Sequence, residues 1–156
     1  MNPISILTRA GVCLGLLAAV ARAEDLYVRA GAAGSRTGAD WNNAWNSFSD
    51  VKWGDGAGRL GPGDTLWIAG GTYTSALVVG ASGTASSPIS IKRVRASDAV
   101  PAAAAGWSSS FDSQVVINNP GSCIYLDNGL GSYLTIDGRV KSGIKVNYQN
   151  GGSGVE

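Results

Sequence analysis

The chain of 156 residues contains no histidine. That removes the commonest general base and the commonest zinc ligand from any catalytic scheme. Cysteine is nearly absent as well, with only Cys13 and Cys123. Charged residues make up 15% of the chain, and 12 basic residues stand against 11 acidic ones. Such a balance argues against bulk electrostatic capture of nucleic acid. Long helical patterns are scarce, and no apolar run is long enough to span a bilayer comfortably.

The first residues read as an export leader. "MNPISILTRAG" carries Arg9 as its only early charge, "VCLGLLAAVA" is a short apolar core, and Ala21-Arg22-Ala23 is a small-x-small cleavage site before Glu24. This is the layout of a signal peptide over residues 1–23. Its removal takes Arg9 and Arg22 away and leaves ten basic residues facing 11 acidic ones. Cys13 leaves too, so Cys123 has no internal partner and is expected as a buried thiol. The expected location is secreted, periplasmic or at the cell surface, with no membrane association once the leader is gone.

What the chain has in abundance is glycine, 23 residues of it. This composition suits many short strands joined by tight turns. Residues 24–60 are expected to hold a first strand at Leu26-Tyr27-Val28, a glycine-rich loop and one helix. In "DWNNAWNSFSDVKW", Trp41, Ala44, Trp45, Phe48 and Val51 fall at helical spacing on one face. Asp40 is placed to cap the first turn. The spacing predicts a short amphipathic helix over 41–52, with Trp41, Trp45 and Phe48 covering the open end of the strand stack.

From Gly61 the character changes. The strand cores "TLWIA", "ISIKR", "QVVIN" and "YLTID" centre on Ile68, Ile91, Ile117 and Ile136, at intervals of 23, 26 and 19 residues. A second set, "ALVV", "CIYL" and "GIKV", lies between them, with Ile124 and Ile144 separated by 20 residues. Two strand sets sharing one period predict a solenoid of stacked parallel strands rather than a meander. The four isoleucines are expected in one buried column, with Lys92, Asn118 and Asp137 next to them at turns. Trp67 is expected to face away from Leu66 and Ile68, toward solvent. The longest interval holds "ASDAVPAAAAGWSSSFDS", which reads as a loop extruded from one turn. A further strand is due at Val155, with no closing cap behind it. The segment 61–156 is therefore read as the first coils of a longer solenoid, truncated at its C-terminus.

"LYVRAGAAGSRTG", the tryptophan-rich segment, "GPGDTLWIAGGTYT", "ASGTASSPISIK" and "YLTIDG" resemble the opening of secreted right-handed parallel β-helix proteins, the pectate-lyase-like superfamily. The order of these motifs is most similar to the branch of chondroitinase-like and alginate-lyase-like polysaccharide lyases. The resemblance covers about residues 26–146. It implies an all-β fold: a right-handed parallel β-helix of about four coils with an N-terminal capping α-helix, monomeric at full length. It also implies a polysaccharide partner, with acidic glycans the substrates of its lyases.

In such lyases a cation, often calcium held by Asp and Glu, neutralises a uronate carboxylate while Lys or Arg takes the neighbouring proton. The matching residues here build turns and strands, so no catalytic residue and no metal ligand is carried over, and the cofactor stays open. Any catalytic coils would lie beyond this segment. The other class left open is a non-catalytic exported β-helix for glycan binding or adhesion. Candidate glycan contacts are Trp107 on the long loop, for stacking on a sugar ring, and the basic strip Lys92, Arg93 and Arg95. A charge run of this kind is as a rule a solvated strand end. "IDGR" at Asp137–Arg139 and Asp127-Asn128-Gly129 read first as turns.

Overall fold

The computed structural model describes residues 23–148. Residues 1–22 of the expected leader and the strand expected at Val155 lie outside them. The described chain is all-β, built from parallel sheets with few helices. Nine strands occur: β1 (Asp25–Val28), β2 (Thr65–Ile68), β3 (Gly71–Tyr73), β4 (Leu77–Val79), β5 (Ile89–Arg93), β6 (Val115–Asn119), β7 (Ile124–Leu126), β8 (Leu134–Asp137) and β9 (Ile144–Tyr148).

Consecutive strands from β2 onward do not pair with each other. They are dealt into three sheets, in the orders β1-β2-β5-β8, β3-β6-β9 and β4-β7, and every ladder is parallel. Thus β2, β3 and β4 form one tier, and β5, β6 and β7 pair with them in turn as the next. Glycine makes the close corners. At the start of β3, Gly71 sits at φ +137°, a conformation that side-chain-bearing residues rarely adopt.

Strand alternation sends one set of side chains inward. The inner cluster gathers Leu26, Leu66 and Ile91 from one sheet, Tyr73 and Ile117 from the second, and Leu77 and Val79 from the third. Cys123 is buried in it as a free thiol. The isoleucine column forms differently from the expectation. Ile91 stands beside Leu66 on one side and Ile136 on the other, while Ile68 is in register with Arg93. Ile117 belongs to another sheet, between Tyr73 and Val146. The tiers β2–β4 and β5–β7 contribute three strands each rather than two, and the segment between β5 and β6 offsets any count by sequence period. Ile68, Ile91 and Ile117 are nonetheless buried, whereas Ile136, on the last strand of its sheet among the described residues, is 38% exposed. Asn118 lies within β6, not at a turn.

The helix expected over 41–52 does not form. Residues 38–43 are bends, and a single 3-10 turn occupies Phe48–Asp50. The free edge of β1 takes this backbone instead. Trp45 N–H donates to Tyr27 O, and Arg29 N–H donates to Trp45 O, both at 2.9 Å. A strand edge offers a row of unpaired donors and acceptors. Asn, Ser and Asp, plentiful in this segment, compete poorly for helix. Asp40 still accepts from Asn43 N–H at 2.8 Å, a cap-type contact without a helix behind it.

Burial of the aromatics holds, but on two sides. Trp45, Phe48 and Val51 enter the inner cluster, whereas Trp41 and Ala44 enter a second cluster with Tyr27, Trp67, Ala69 and Val94. Phe48 stacks on Tyr73 with ring centroids 4.4 Å apart, and its N–H donates to Ser75 Oγ in the loop before β4. The segment therefore runs from the edge of β1 across the first tier.

Among the described residues no helix is long and apolar enough to cross a membrane.

Candidate functional site at the outer face of the four-stranded sheet

The outward positions of β1, β2, β5 and β8 form two rows. Thr65, Ser90 and Thr135 make a hydroxyl ladder. Tyr27, Trp67, Lys92 and Asp137 make the second row, two aromatics and then a cation and an anion. Trp67 faces away from Leu66 and Ile68, as alternation requires, yet it is only 7% exposed. The expectation that it meets solvent fails because other parts of the chain fold over the outer face.

That cover is the segment between β5 and β6. It carries the short helix α1 (Ala99–Ala103) and a 3-10 turn at Ser109–Phe111. Trp41 is its anchor. The Trp41 indole N–H donates to Pro101 O at 2.7 Å, and its ring packs on Tyr27, Trp107 and Phe111 at centroid distances of 4.8, 5.8 and 5.1 Å. Trp67 Nε1 donates to Asp25 Oδ1 at 2.6 Å. Trp107, the expected sugar-stacking residue, is therefore half-buried in an aromatic cluster, and its ring also meets Phe111 edge-on.

The basic strip is divided among three environments. Lys92 points outward, half-buried, with Nζ 5.6 Å from the centre of the Trp67 ring. Arg93 lies on the inward side of β5 and is 6% exposed. It pairs with Asp112 at 2.5 Å, and its Nε donates to Ser113 O at 2.6 Å, so it fastens the end of the covering segment. Arg95, beyond the strand, is half-buried, with an Nε that is buried and finds no partner among the described residues. The strip is thus not one solvated face. Alternation separates Lys92 from Arg93, and the inward arginine is tolerated because Asp112 supplies its counter-charge.

Asp98 accepts from Arg95 N–H at 2.9 Å and pairs with the Arg139 side chain. Asp98 and Arg139 are separated by about forty residues in sequence, and no local pattern marks them. Asp137 accepts from Arg139 N–H at 2.7 Å, with Arg139 at φ +64°, so "IDGR" is a turn as expected. Asp127–Gly129 is likewise a 3-10 turn. Among the described residues no group of three or more His, Cys, Asp or Glu side chains is arranged to hold a metal ion.

What remains open on this face is Lys92, the hydroxyl ladder and half-buried Asp137. A cation fixed against an aromatic ring beside hydroxyl groups can meet a carboxylate and neighbouring alcohols of a ligand. The chain matches no family model, no curated protein and no solved structure.

Proposed function

We propose that this chain is the N-terminal part of an exported right-handed parallel β-helix of the pectate-lyase-like kind, and that it binds acidic polysaccharide on the outer face of β2, β5 and β8. The three-strand tiers with parallel ladders throughout support the fold reading. The observation that carries the ligand reading is the placement of Lys92. Of the three basic residues in the strip, it alone stands outward on the strand, in the row between Trp67 and Asp137 and next to the hydroxyl ladder.

Within that reading the full-length protein is a polysaccharide lyase whose catalytic coils lie outside this segment. One observation favours a binding-only protein instead. Two of the basic side chains around the face are already paired, Arg93 with Asp112 and Arg139 with Asp98, and neither is free to act as a base. A base for proton abstraction needs a free, correctly poised group.

The test is affinity electrophoresis in polygalacturonate, alginate and chondroitin sulfate, with unmodified dextran as the neutral control. Retardation in an acidic gel that Lys92→Gln reduces at least tenfold is expected. Equal mobility in all gels would sink the ligand reading. Ultraviolet absorbance from unsaturated sugar on incubation would instead make this segment catalytic. For the fold, a left-handed path from β2 through β3 and β4 to β5 in a crystal structure would overturn the β-helix.

A further inference from the structure

A cleft of about 190 Å³ lies away from the outer face, where the chain enters β1. Three carboxylates line it: Glu24, Asp55 and Asp64. Asp64 is the buried one, 8% exposed. Its Oδ2 accepts from Gly61 N–H at 2.8 Å, closing the "GPGD" turn, and its Oδ1 accepts from Glu24 N–H at 2.7 Å. Among the described residues no Lys or Arg pairs with it; the ion pairs there are Arg93–Asp112 and Arg139–Asp98. Asp64 is thus a buried carboxylate held by two backbone amides with no side-chain cation on it, and burying a charge without a counter-charge is costly.

Glu24 is also held more firmly than a strand approach requires. Its carbonyl accepts from Thr65 N–H at 2.9 Å, and its Oε2 accepts from Gly58 N–H at 2.9 Å. Three contacts therefore fix one residue and aim its backbone nitrogen at the unneutralised carboxylate. Ala23, just before it, is exposed.

We infer that the nitrogen of Glu24 is the α-ammonium of the mature chain and that it is the counter-charge of Asp64. The inference rests on the export-leader reading of residues 1–23. Hydrolysis of the Ala23–Glu24 peptide bond by an export endopeptidase consumes one water. The C–N bond breaks, the water oxygen goes to the new Ala23 carboxylate, and Glu24 nitrogen takes up protons to become the ammonium. The same atom that donates one neutral amide hydrogen before cleavage then carries a full positive charge against Asp64 Oδ1. Charge-assisted bonds of this kind are roughly twice as strong as neutral ones. Leader removal would thus do more than release the chain: it would complete a partly buried ion pair at the point where the first strand joins the second, and the processed form would be the stably closed one.

Processing and pairing are tested separately. Intact mass of the exported protein reports processing, and a chain beginning at Glu24 is expected. A different start would refute the leader reading alone. The ion pair is then tested on chains beginning at Glu24 or at Ala23, each released from a cleavable N-terminal fusion. With the ammonium in place, the Glu24 chain should have a folding equilibrium constant at least tenfold larger than the Ala23 chain. Asp64→Asn should abolish that difference.

A second measurement does not depend on the variant folding. The α-amine of the Glu24 chain should be acylated at least tenfold more slowly than the α-amine of a peptide of residues 24–30. Free-peptide reactivity, or equal stability of the two chains, would overturn the pair. So would a calcium-dependent rise in Tm that Asp64→Asn removes, because a metal would then hold the cleft.

Discussion

Trp41 and Pro101, sixty residues apart in sequence, are joined by an indole hydrogen bond of 2.7 Å buried beneath the covering segment. This contact fastens the segment after β5 to the outer face of the sheet. Trp41→Phe keeps an aromatic ring beside Tyr27 and Phe111 but removes the shorter of two bonds that Pro101 O accepts, the other coming from Ala104 N–H at 3.3 Å, which should lower stability by about 0.5–1.5 kcal/mol. Trp41→Ala should cost about 3–5 kcal/mol. Urea denaturation checks both, and acrylamide quenching should show Trp107 newly accessible. A Phe variant as stable as the parent would show that the bond does not matter.

Arg93 ties the other end of the same segment. Arg93→Met leaves Asp112 Oδ1 and the Ser113 carbonyl without their donor, and roughly 3 kcal/mol of destabilisation is expected, at the low end for a buried pair because Asp112 still accepts from Ala96 N–H and keeps 27% of its side chain exposed. Arg93→Lys should not rescue it, since one ammonium cannot reproduce the two directed donors of the guanidinium. The double variant Arg93→Met, Asp112→Leu should recover part of the loss in the same denaturation assay.

Gly70 abuts the backbone and side chain of Ser113 so closely that a Cβ there would overlap them. Gly70→Ala should therefore push the covering segment away at a cost of about 1–3 kcal/mol. Gly121→Ala, whose Cβ would approach only Asn119 Oδ1 at 3.4 Å, should be close to neutral. Thermal unfolding distinguishes the two, and equal Tm values would refute the close packing.

Alkaline pH should loosen the fold through its buried tyrosines. Burial, with help from Asp25 and Asp40, pushes the Tyr27 hydroxyl from its ordinary value of 10.0 up to about 12. Burial also raises Tyr73, whose hydroxyl donates to Ala69 O at 2.7 Å. The folded state holds these protons more tightly than the unfolded state. Their contribution is therefore complete below about pH 10 and is lost as pH rises from about 10 through 12. Tyr27→Phe should flatten the stability profile in that window while leaving neutral pH almost unchanged. An identical alkaline slope in the variant would exclude Tyr27 as a source.

Leu126, Ile136 and Val146 are 52, 38 and 52% exposed, on β7, β8 and β9, the final strands of their sheets among the described residues. Unpaired parallel edges carrying apolar side chains invite pairing with another strand. Residues 24–156 alone should associate in a concentration-dependent way, read by light scattering after size exclusion. Ile136→Lys with Val146→Lys should restore a monomer and cost little stability, because neither side chain is deeply buried. A parent that stays monomeric at all concentrations would contradict this.

Much of the local design is legible in the chain itself. Glycine, proline and aspartate punctuate the short apolar runs, so strand cores such as "TLWI" and "ISIKR" and turns such as "IDGR" arise from backbone preferences and side-chain bonds within a few residues. Inward and outward faces are equally readable, since alternation has a period of two: Leu66 and Ile68 go one way and Trp67 the other. Lys92 as an outward cation is readable for the same reason.

Pairing partners were decided only in three dimensions. The strand that lies beside Ile91 depends on how much chain intervenes before β6, and a segment of variable length carries no periodic signal. Trp41, Trp45 and Phe48 show why local spacing is insufficient. Their apolar pattern matches a helix, but the open edge of β1 and the bare ring of Trp67 compete for the same residues, and those long-range contacts outweigh a weak helical preference. The partners that make Arg93 and Trp107 buriable are likewise set by long-range contacts. Asp112 and Trp41, distant in sequence, supply the counter-charge and the aromatic surface that make their burial favourable.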